Sequence, residues 1–367
     1  MTSKPLIYLV CWMIAGGYTQ AAGNPVGEES EETPATVEEA PKSKKTKAPK
    51  PPLEIPADIP HEEDVSYLEG DRKEKADLYF PMGVPEGRKA PALIVIHGGG
   101  FNDGDKRKYR ELNFCTNAAK RGYLAMSINY KLRKSQGQVT WPQNIQDAKE
   151  AVRWLRLNAE RLKIDPERIG AMGGSAGGNV AAMLTLTQPE DGFDGAGART
   201  NIPARIVCGI DFYGAVDLMT YHDMKMFAKT REEAPELYRK GSPTSYVREK
   251  APPLLMIHGT GDETVKVEQS QILRSKLEAA GNPCPEYIIS NQLEVDALKE
   301  KLAENRHALV LIPKAPHTFD LAVSMKKDGP VMMDITDLVF EWLDRYLKAE
   351  IPLKGPAGSN FSIPSSR

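Results

Sequence analysis

The chain has 367 residues, with 48 lysines and arginines against 50 aspartates and glutamates, and its formal net charge is −2. This balance provides no broad cationic field for a phosphate backbone, so we expect no nucleic-acid partner. A mean hydropathy of −0.43 excludes a polytopic membrane protein. About 290 residues remain between the N-terminal and C-terminal segments, which is enough for one large domain or two small ones.

The first 21 residues predict a secretory signal peptide. Lys4 supplies a positive charge, an apolar run from Leu6 to Ile14 follows it, and the small residues Ala21 and Ala22 suit cleavage. The run is shorter than the roughly 20 residues that span a bilayer, so we expect no stable membrane span, with an uncleaved anchor as the alternative. The pattern indicates a secreted or periplasmic protein.

Residues 22–60 differ sharply in composition from the rest of the chain. They contain many prolines and an acidic block followed by a basic one, and they offer few apolar residues. Such a segment lacks the apolar surface needed for a core, so we predict a disordered, charged linker.

Three cysteines, Cys115, Cys208 and Cys284, follow the predicted signal peptide. An odd number in an exported chain implies at least one free thiol or an intermolecular bond. Cys208 lies in an apolar run and is expected in the core. Neither cysteines nor histidines show metal-ligand spacing, so we expect no metal and no cofactor.

Structured patterns begin at His61, with two short β-like runs at 64–68 and 76–80. Six runs that are apolar on both faces follow, as is typical of strands covered on both sides by helices. These runs are Ala92–Ile96, Leu124–Ile128, Arg168–Met172, Ile206–Phe212, Leu254–Ile257 and Ala308–Ile312.

Helical spacing of apolar residues separates these runs. The predicted helices are Ile145–Asn158, Val180–Leu186, Ser270–Ala280, Leu293–Leu302 and a final stripe from Val331 to Tyr346. Strands that alternate with helices predict one α/β domain over residues 61–350, followed by a C-terminal tail at 351–367. We expect a doubly wound, mostly parallel sheet with antiparallel N-terminal strands.

The run that ends at Met172 is followed by G-G-S-A-G at 173–177 and then by a helix of small residues. Function in sheets of this kind lies at the carboxyl ends of the strands. G-x-S-x-G between a strand and a helix is typical of a nucleophile elbow, which would expose the hydroxyl of Ser175. Taken alone, the motif also fits a phosphate-binding loop or a plain tight turn.

The run that ends at Ile96 leads into H-G-G-G-F at 97–101. Backbone N–H groups without side-chain crowding stabilise the negative oxygen that forms when a serine attacks an ester. We predict Gly99, Gly100 and Ala176 as these oxyanion donors. Dinucleotide binding is disfavoured, because Asp103 stands where G-x-G-x-x-G requires its third glycine.

A serine nucleophile needs a base and an acid that orients the base. Of the six histidines, His317 lies on a loop beyond the last predicted strand and is the predicted base, with His258 as the weaker alternative. Asp262 follows a glycine-bracketed turn after a strand, with Glu263 as its rival. The order serine, aspartate, histidine is the one expected of this architecture.

Together these residues resemble the α/β-hydrolase fold, and within it the esterase and lipase group that includes the hormone-sensitive-lipase-like and the acetyl-xylan/feruloyl esterases. The resemblance extends from His61 to Leu347 and includes further segments in order. These segments are 127–132, 141–159, 164–169, 211–214 and 252–265. Thr318 departs from the glycine that often follows the histidine, and the helical insertion at 293–305 also departs from the pattern.

The resemblance implies carboxylic-ester hydrolysis, with catalytic roles for Ser175, Asp262 and His317 and oxyanion roles for the three predicted donors. Export and the resemblance favour small acyl esters, such as acetyl or feruloyl groups, on polysaccharide. Residues 217–245 form either a lid or wall of the cleft, or a surface excursion that caps the sheet.

Two other classes of function stay open. A serine peptidase of the prolyl-oligopeptidase type shares the Asp262 turn, although such enzymes usually carry a β-propeller for which this chain has no room. A non-catalytic binding module with a hydrolase fold is the other alternative, although such modules usually lose the serine or the histidine.

Overall fold

A computed structural model describes residues 53–302, 304–323 and 333–348. The predicted signal peptide, most of the predicted linker and the predicted C-terminal tail lie outside these residues. All described residues belong to one of the two units of the chain, Pro51–Arg367.

Strands and helices alternate along the described residues, as the apolar runs predict. The strands are β1 His61–Val65, β2 Ala76–Tyr79, β3 Ala90–Ile96, β4 Leu124–Ile128, β5 Ile164–Gly174, β6 Gly209–Phe212, β7 Leu254–Gly259, β8 Glu286–Ile288, β9 His307–Ile312, β10 Ala322–Val323 and β11 Met333–Asp334. The α-helices are α1 Tyr109–Lys120, α2 Gln143–Leu157, α3 Ala159–Leu162, α4 Ala176–Leu186, α5 Pro235–Lys240, α6 Glu268–Ala279, α7 Gln292–Leu302 and α8 Thr336–Leu347.

Nine of these strands form one sheet in the order β1-β2-β4-β3-β5-β6-β7-β9-β8. Strand β2 is antiparallel to both of its neighbours. The pairings from β4 through to β8 are parallel. A mostly parallel sheet with antiparallel N-terminal strands is therefore confirmed. Strands β10 and β11 pair separately as a two-stranded antiparallel ribbon.

Helices cover both faces of the sheet. Successive residues of each central strand point to opposite faces, so neighbouring strand residues pack against different helices. Ile94 of β3 shares a buried apolar cluster with Val180 of α4. Its neighbour Leu93 shares another cluster with Phe114 of α1 and Leu338 of α8. Burial on both faces explains why these strands read as continuous apolar runs, and it confirms the doubly wound arrangement.

The start of the domain requires a correction. Ile55 and Ile59, inside the predicted linker 22–60, are buried in the same cluster as Leu93. Residues 53–60 therefore pack on the sheet instead of forming free linker, since two isolated isoleucines among prolines still bury apolar area on folding.

Several elements differ from the sequence prediction. Strand β1 begins at His61, so the predicted run 64–68 is placed too late. The helices α1, α3 and α5 and the strands β8, β10 and β11 were not predicted. Strand β8 has only three residues, of which two are exposed, so it carries no alternating apolar signal. In α1, asparagines and a threonine interrupt the apolar stripe.

Candidate active site

The three residues predicted as nucleophile, base and acid lie together at the carboxyl edge of the sheet. Ser175 follows β5, Asp262 follows β7 by a short turn, and His317 lies on the loop after β9. His317 Nε2 lies 3.0 Å from Ser175 Oγ. On the other side of the ring, His317 Nδ1 lies 2.6 Å from Asp262 Oδ2. A hydroxyl, an imidazole and a carboxylate thus form one hydrogen-bonded series.

Ser175 lies on a sharp turn between β5 and α4. Its φ of 59° and ψ of −122° are sparsely populated by residues other than glycine. A Cβ atom on Gly177 would lie 2.1 Å from the carbonyl oxygen of Ile96, so only glycine allows α4 to approach β3 this closely. Strand, turn and helix therefore present the hydroxyl at the sheet edge in the manner of a nucleophile elbow.

Asp262 is held by donors on both of its carboxylate oxygens. Oδ1 accepts hydrogen bonds from the backbone N–H groups of Thr264 and Val265, each at 2.9 Å. Oδ2 faces His317 and also lies 3.4 Å from Nε2 of His258. Burial opposes ionisation, but the hydrogen bonds from His258, His317 and the Val265 N–H outweigh it and hold the pKa of Asp262 well below its usual range.

His258, the weaker alternative for the base, lies apart from the Ser175 hydroxyl. Glu263, the weaker alternative for the acid, lies apart from the His317 ring. Glu263 is exposed on the turn that buries Asp262. His258 is fully buried, and its ring nitrogens lie 2.7 Å from Ser270 Oγ and 2.9 Å from the carbonyl oxygen of Val265. The sequence ranking of His317 over His258, and of Asp262 over Glu263, agrees with this geometry.

The predicted oxyanion donors lie on two segments, the turn after β3 and the start of α4. Gly99 has a φ of +111°, and a Cβ atom there would lie 2.0 Å from the carbonyl oxygen of Asp103, so the turn requires glycine. The side-chain amide of Asn102 donates to the carbonyl oxygen of Gly100 at 2.6 Å. Ala176 is the first residue of α4, where a backbone N–H has no partner within the helix.

Sequence reasoning missed a polar network that supports the His317 loop. Arg110 of α1 donates from Nη1 to the hydroxyl of Tyr213 at 2.6 Å. That hydroxyl donates to the carbonyl oxygen of Phe319 at 2.8 Å, and the Tyr213 ring centroid lies 4.9 Å from that of His317. Burial raises the pKa of Tyr213 to about 12, so its hydroxyl stays protonated. Tyr213 belongs to the segment 211–214 that carries the family resemblance, whereas Arg110 gave no signal.

Residues 217–245, for which the sequence left a lid or wall and a surface excursion open, contact the turn that carries Asp262. The hydroxyl of Tyr221 donates to the carbonyl oxygen of Thr264, in the Asp262 turn, at 3.0 Å. At the other end, the N–H of Thr140, just before α2, donates to the carbonyl oxygen of Met226 at 3.1 Å. The segment therefore connects the turn that carries the carboxylate to the loop before α2.

Cys115, Cys208 and Cys284 are unpaired and buried, and burial raises the pKa of each thiol. Within residues 53–302, 304–323 and 333–348, no group of three or more histidine, cysteine or acidic side chains is arranged to hold a metal ion. Over the same part of the chain, no helix combines the length and apolar character that a membrane crossing needs.

Comparison with known proteins agrees with the fold. The curated esterase LipQ of Mycobacterium tuberculosis is 29% identical over 277 residues, which cover 72% of this chain and 58% of LipQ. The chain spans little more than half the length of such mycobacterial relatives, 58%, 54% and 52% of three of them.

Solved structures share the architecture as well. A truncated form of a carbohydrate esterase from gut microbiota superposes with a TM-score of 0.60 at 23% identity, covering 73% of this chain and 92% of that one. The butyrate-bound esterase Est2 of the planctomycete Thermogutta terrifontis gives a TM-score of 0.53 at 26% identity, covering 70% and 84%.

The BD-FAE family matches residues 76–277, which is more than half of the chain and includes both Ser175 and Asp262. His317 lies beyond this match, on the loop after β9. The fold, the elbow at Ser175 and the family match lead to one conclusion: the chain belongs to the BD-FAE family of hormone-sensitive-lipase-like esterases, with the α/β-hydrolase fold.

Proposed function

We propose that this protein is an exported serine carboxylic-ester hydrolase that removes small acyl groups, such as acetyl or feruloyl, from polysaccharide. The observation that carries the catalytic part is the hydrogen-bonded series from Ser175 through His317 to Asp262, with distances of 3.0 Å and 2.6 Å. Membership of an esterase family supports the reaction class.

The acylation half of the reaction uses each of these groups in turn. Neutral His317 takes the proton of Ser175 through Nε2 as the serine oxygen attacks the ester carbonyl. Asp262 accepts from Nδ1, which fixes the tautomer of the ring and stabilises the imidazolium that forms. His317 then gives the proton to the leaving alcohol oxygen, and the acyl group stays on Ser175.

Backbone N–H groups of Gly99, Gly100 and Ala176 hold the negative oxygen of the tetrahedral intermediate in this proposal. Water then attacks the acyl-serine by the same proton transfers, releasing the acid and restoring the hydroxyl.

Support for the substrate and the location comes from three sources. The gut-microbiota neighbour is named a carbohydrate esterase. The Thermogutta neighbour is described as bound to butyrate, which is the acid of a short acyl group. The positive charge followed by an apolar run within residues 1–21 supports export. The segment 217–245 contains no long apolar stretch of the kind that would suit a lipid surface.

A panel of esters on purified protein tests the proposal. The substrates are p-nitrophenyl acetate, methyl ferulate and acetylated xylan, with release of nitrophenolate, ferulate and acetate as readouts. Ser175→Ala is expected to lower kcat by about 10⁴-fold or more on every substrate that the wild type cleaves. Ser135→Ala, at an exposed loop serine, is the matched control and should keep wild-type turnover.

The outcomes separate the parts of the proposal. Full turnover by Ser175→Ala would overturn the serine mechanism. Cleavage of the nitrophenyl ester without acetate release from xylan would leave the mechanism and overturn the polysaccharide substrate. Cleavage of a proline-containing peptide amide faster than any ester would favour the peptidase alternative, and a chain that cleaves none of these would favour the binding module.

A further inference from the structure

A second imidazole, besides that of His317, lies next to the carboxylate of Asp262. His258 is the fifth residue of β7, and its side chain is fully buried. Its Nε2 lies 2.9 Å from the carbonyl oxygen of Val265 and 3.4 Å from Asp262 Oδ2. Asp262 Oδ2 therefore lies near two histidine rings.

The neighbours of His258 decide which of its nitrogens carries the proton. A carbonyl oxygen can only accept, so the contact with Val265 requires a hydrogen on Nε2. Nδ1 lies 2.7 Å from the hydroxyl of Ser270 on α6, and this hydroxyl can donate to it. The neutral Nε2–H tautomer satisfies both contacts, and it places the nitrogen that bears the hydrogen 3.4 Å from Asp262 Oδ2.

Tyr213 and Asp211, at the end of neighbouring β6, also face the His258 ring. The Tyr213 ring centroid, from the end of β6, lies 6.4 Å from that of His258. Asp211 of β6 is the other acid that interacts electrostatically with the ring, and its Oδ1 accepts from the backbone N–H of Gly214 at 2.8 Å. Burial raises the pKa of Asp211 to about 6.

We propose that His258 is a positioning residue that holds Asp262 Oδ2 in line with His317 Nδ1. Ser175, His317, Asp262, His258 and Ser270 then form one continuous series of polar side chains. Asp262 Oδ1 is already held by two backbone donors, so His258 supplies the side-chain donor that restrains the second oxygen besides His317 itself. This role rests on the triad proposed above, and His258 neither contacts the substrate nor receives the serine proton.

Two substitutions separate the donor from the shape of the ring. His258→Leu removes the donor at similar volume, whereas His258→Gln keeps an amide N–H near the position of Nε2. For His258→Leu we expect kcat to fall about tenfold, with KM within about twofold, because the acid is misplaced for the chemical step. The acid limb of its kcat/KM profile should move to lower pH by about half a unit, because a misplaced carboxylate stabilises the imidazolium of His317 less.

His258→Gln should restore kcat to within about threefold of wild type and return the acid limb of the kcat/KM profile to its wild-type position. His307→Leu is the matched control, since His307 is a buried histidine at the opposite end of the paired strands β7 and β9. It should leave kcat and the acid limb unchanged. A role in packing alone would lower the activity of the glutamine and leucine variants equally and would leave the pH profile unmoved. Equal losses in the two variants, or an unmoved pH profile in His258→Leu, would overturn the proposal.

Ser270→Ala and Ser175→Ala complete the test. If His258→Leu does not fold, as judged by circular dichroism, Ser270→Ala replaces it, and about a threefold loss of kcat with the same shift of the acid limb is expected. Ser270→Ala with wild-type kcat and pH profile would overturn the proposal. Full turnover in Ser175→Ala would refute the triad itself, whereas loss of turnover there with an unchanged His258→Leu refutes the role of His258 alone.

Discussion

His307, the first residue of β9, makes stability depend on pH. Its side chain is 1% exposed, and neither ring nitrogen has a hydrogen-bond partner among the described residues. Burial, assisted by the positive charge of Arg306, lowers the pKa of His307 to about 4. The folded protein thus keeps this ring neutral at pH values where an unfolded chain protonates it.

The sign and size of the effect follow from linkage. An ordinary histidine has a pKa of about 6.5, so as the pH falls below that value the unfolded state takes up a proton that the folded state refuses. The free energy of unfolding therefore falls with decreasing pH and levels off once the pH passes about 4. Between about pH 7.5 and 4.5 this difference in pKa costs about 2.5 kcal/mol of stability.

His307→Leu removes the titrating ring and fills a similar volume. Relative to wild type, its free energy of unfolding should rise by about 2.5 kcal/mol as the pH falls from about 7.5 to 4.5. Urea titrations followed by tryptophan fluorescence at a series of pH values measure this difference. His222→Ala, at an exposed ring, serves as the control for loss of a histidine. A difference between His307→Leu and wild type that does not vary with pH would refute the reasoning.

Three further variants test the active site. Gly99→Ala would place a methyl group 2.0 Å from the Asp103 carbonyl and should lower kcat about 100-fold or more in a p-nitrophenyl acetate assay, so an active variant would contradict the oxyanion assignment. Tyr213→Phe leaves a buried Arg110 donor unpaired. Its free energy of unfolding in urea should fall by about 2 kcal/mol, and its kcat should fall several-fold. Unchanged values would contradict the role of Tyr213 in supporting the His317 loop. Asp262→Asn keeps the shape without the charge and should lower kcat about 10⁴-fold, with Glu263→Gln as the control that keeps activity.

Features that depend on local sequence could be predicted. Ser175 and the oxyanion glycines each lie within a few residues of a strand end, and a tight turn or a close backbone approach demands small residues there. The apolar runs also predicted the central strands, because helices bury both faces of them. The order of strands and glycine turns was enough to select His317 and Asp262 as the predicted base and acid, whose side chains lie in contact in the structure.

Features that depend on distant contacts could not be predicted. Arg110 and Tyr213 are 103 residues apart, and Tyr213 and Phe319 are 106 apart, so their hydrogen bonds exist only once α1, β6 and the His317 loop pack together. The burial of Ile55 likewise requires the finished sheet. The sequence offered His258 only as the weaker candidate for the base, and its approach to Asp262 depends on the fold of the turn between them.

The reaction of Ser175 with a fluorophosphonate tests the central claim most directly. The hydrogen-bonded series places the serine hydroxyl 3.0 Å from His317 Nε2, so the wild type should incorporate one probe per chain, with the label on the peptide that contains Ser175. The label should vanish in His317→Ala and persist in His222→Ala, measured by intact and peptide mass spectrometry. A wild type that remains unlabelled, or a label on another serine, would contradict the account.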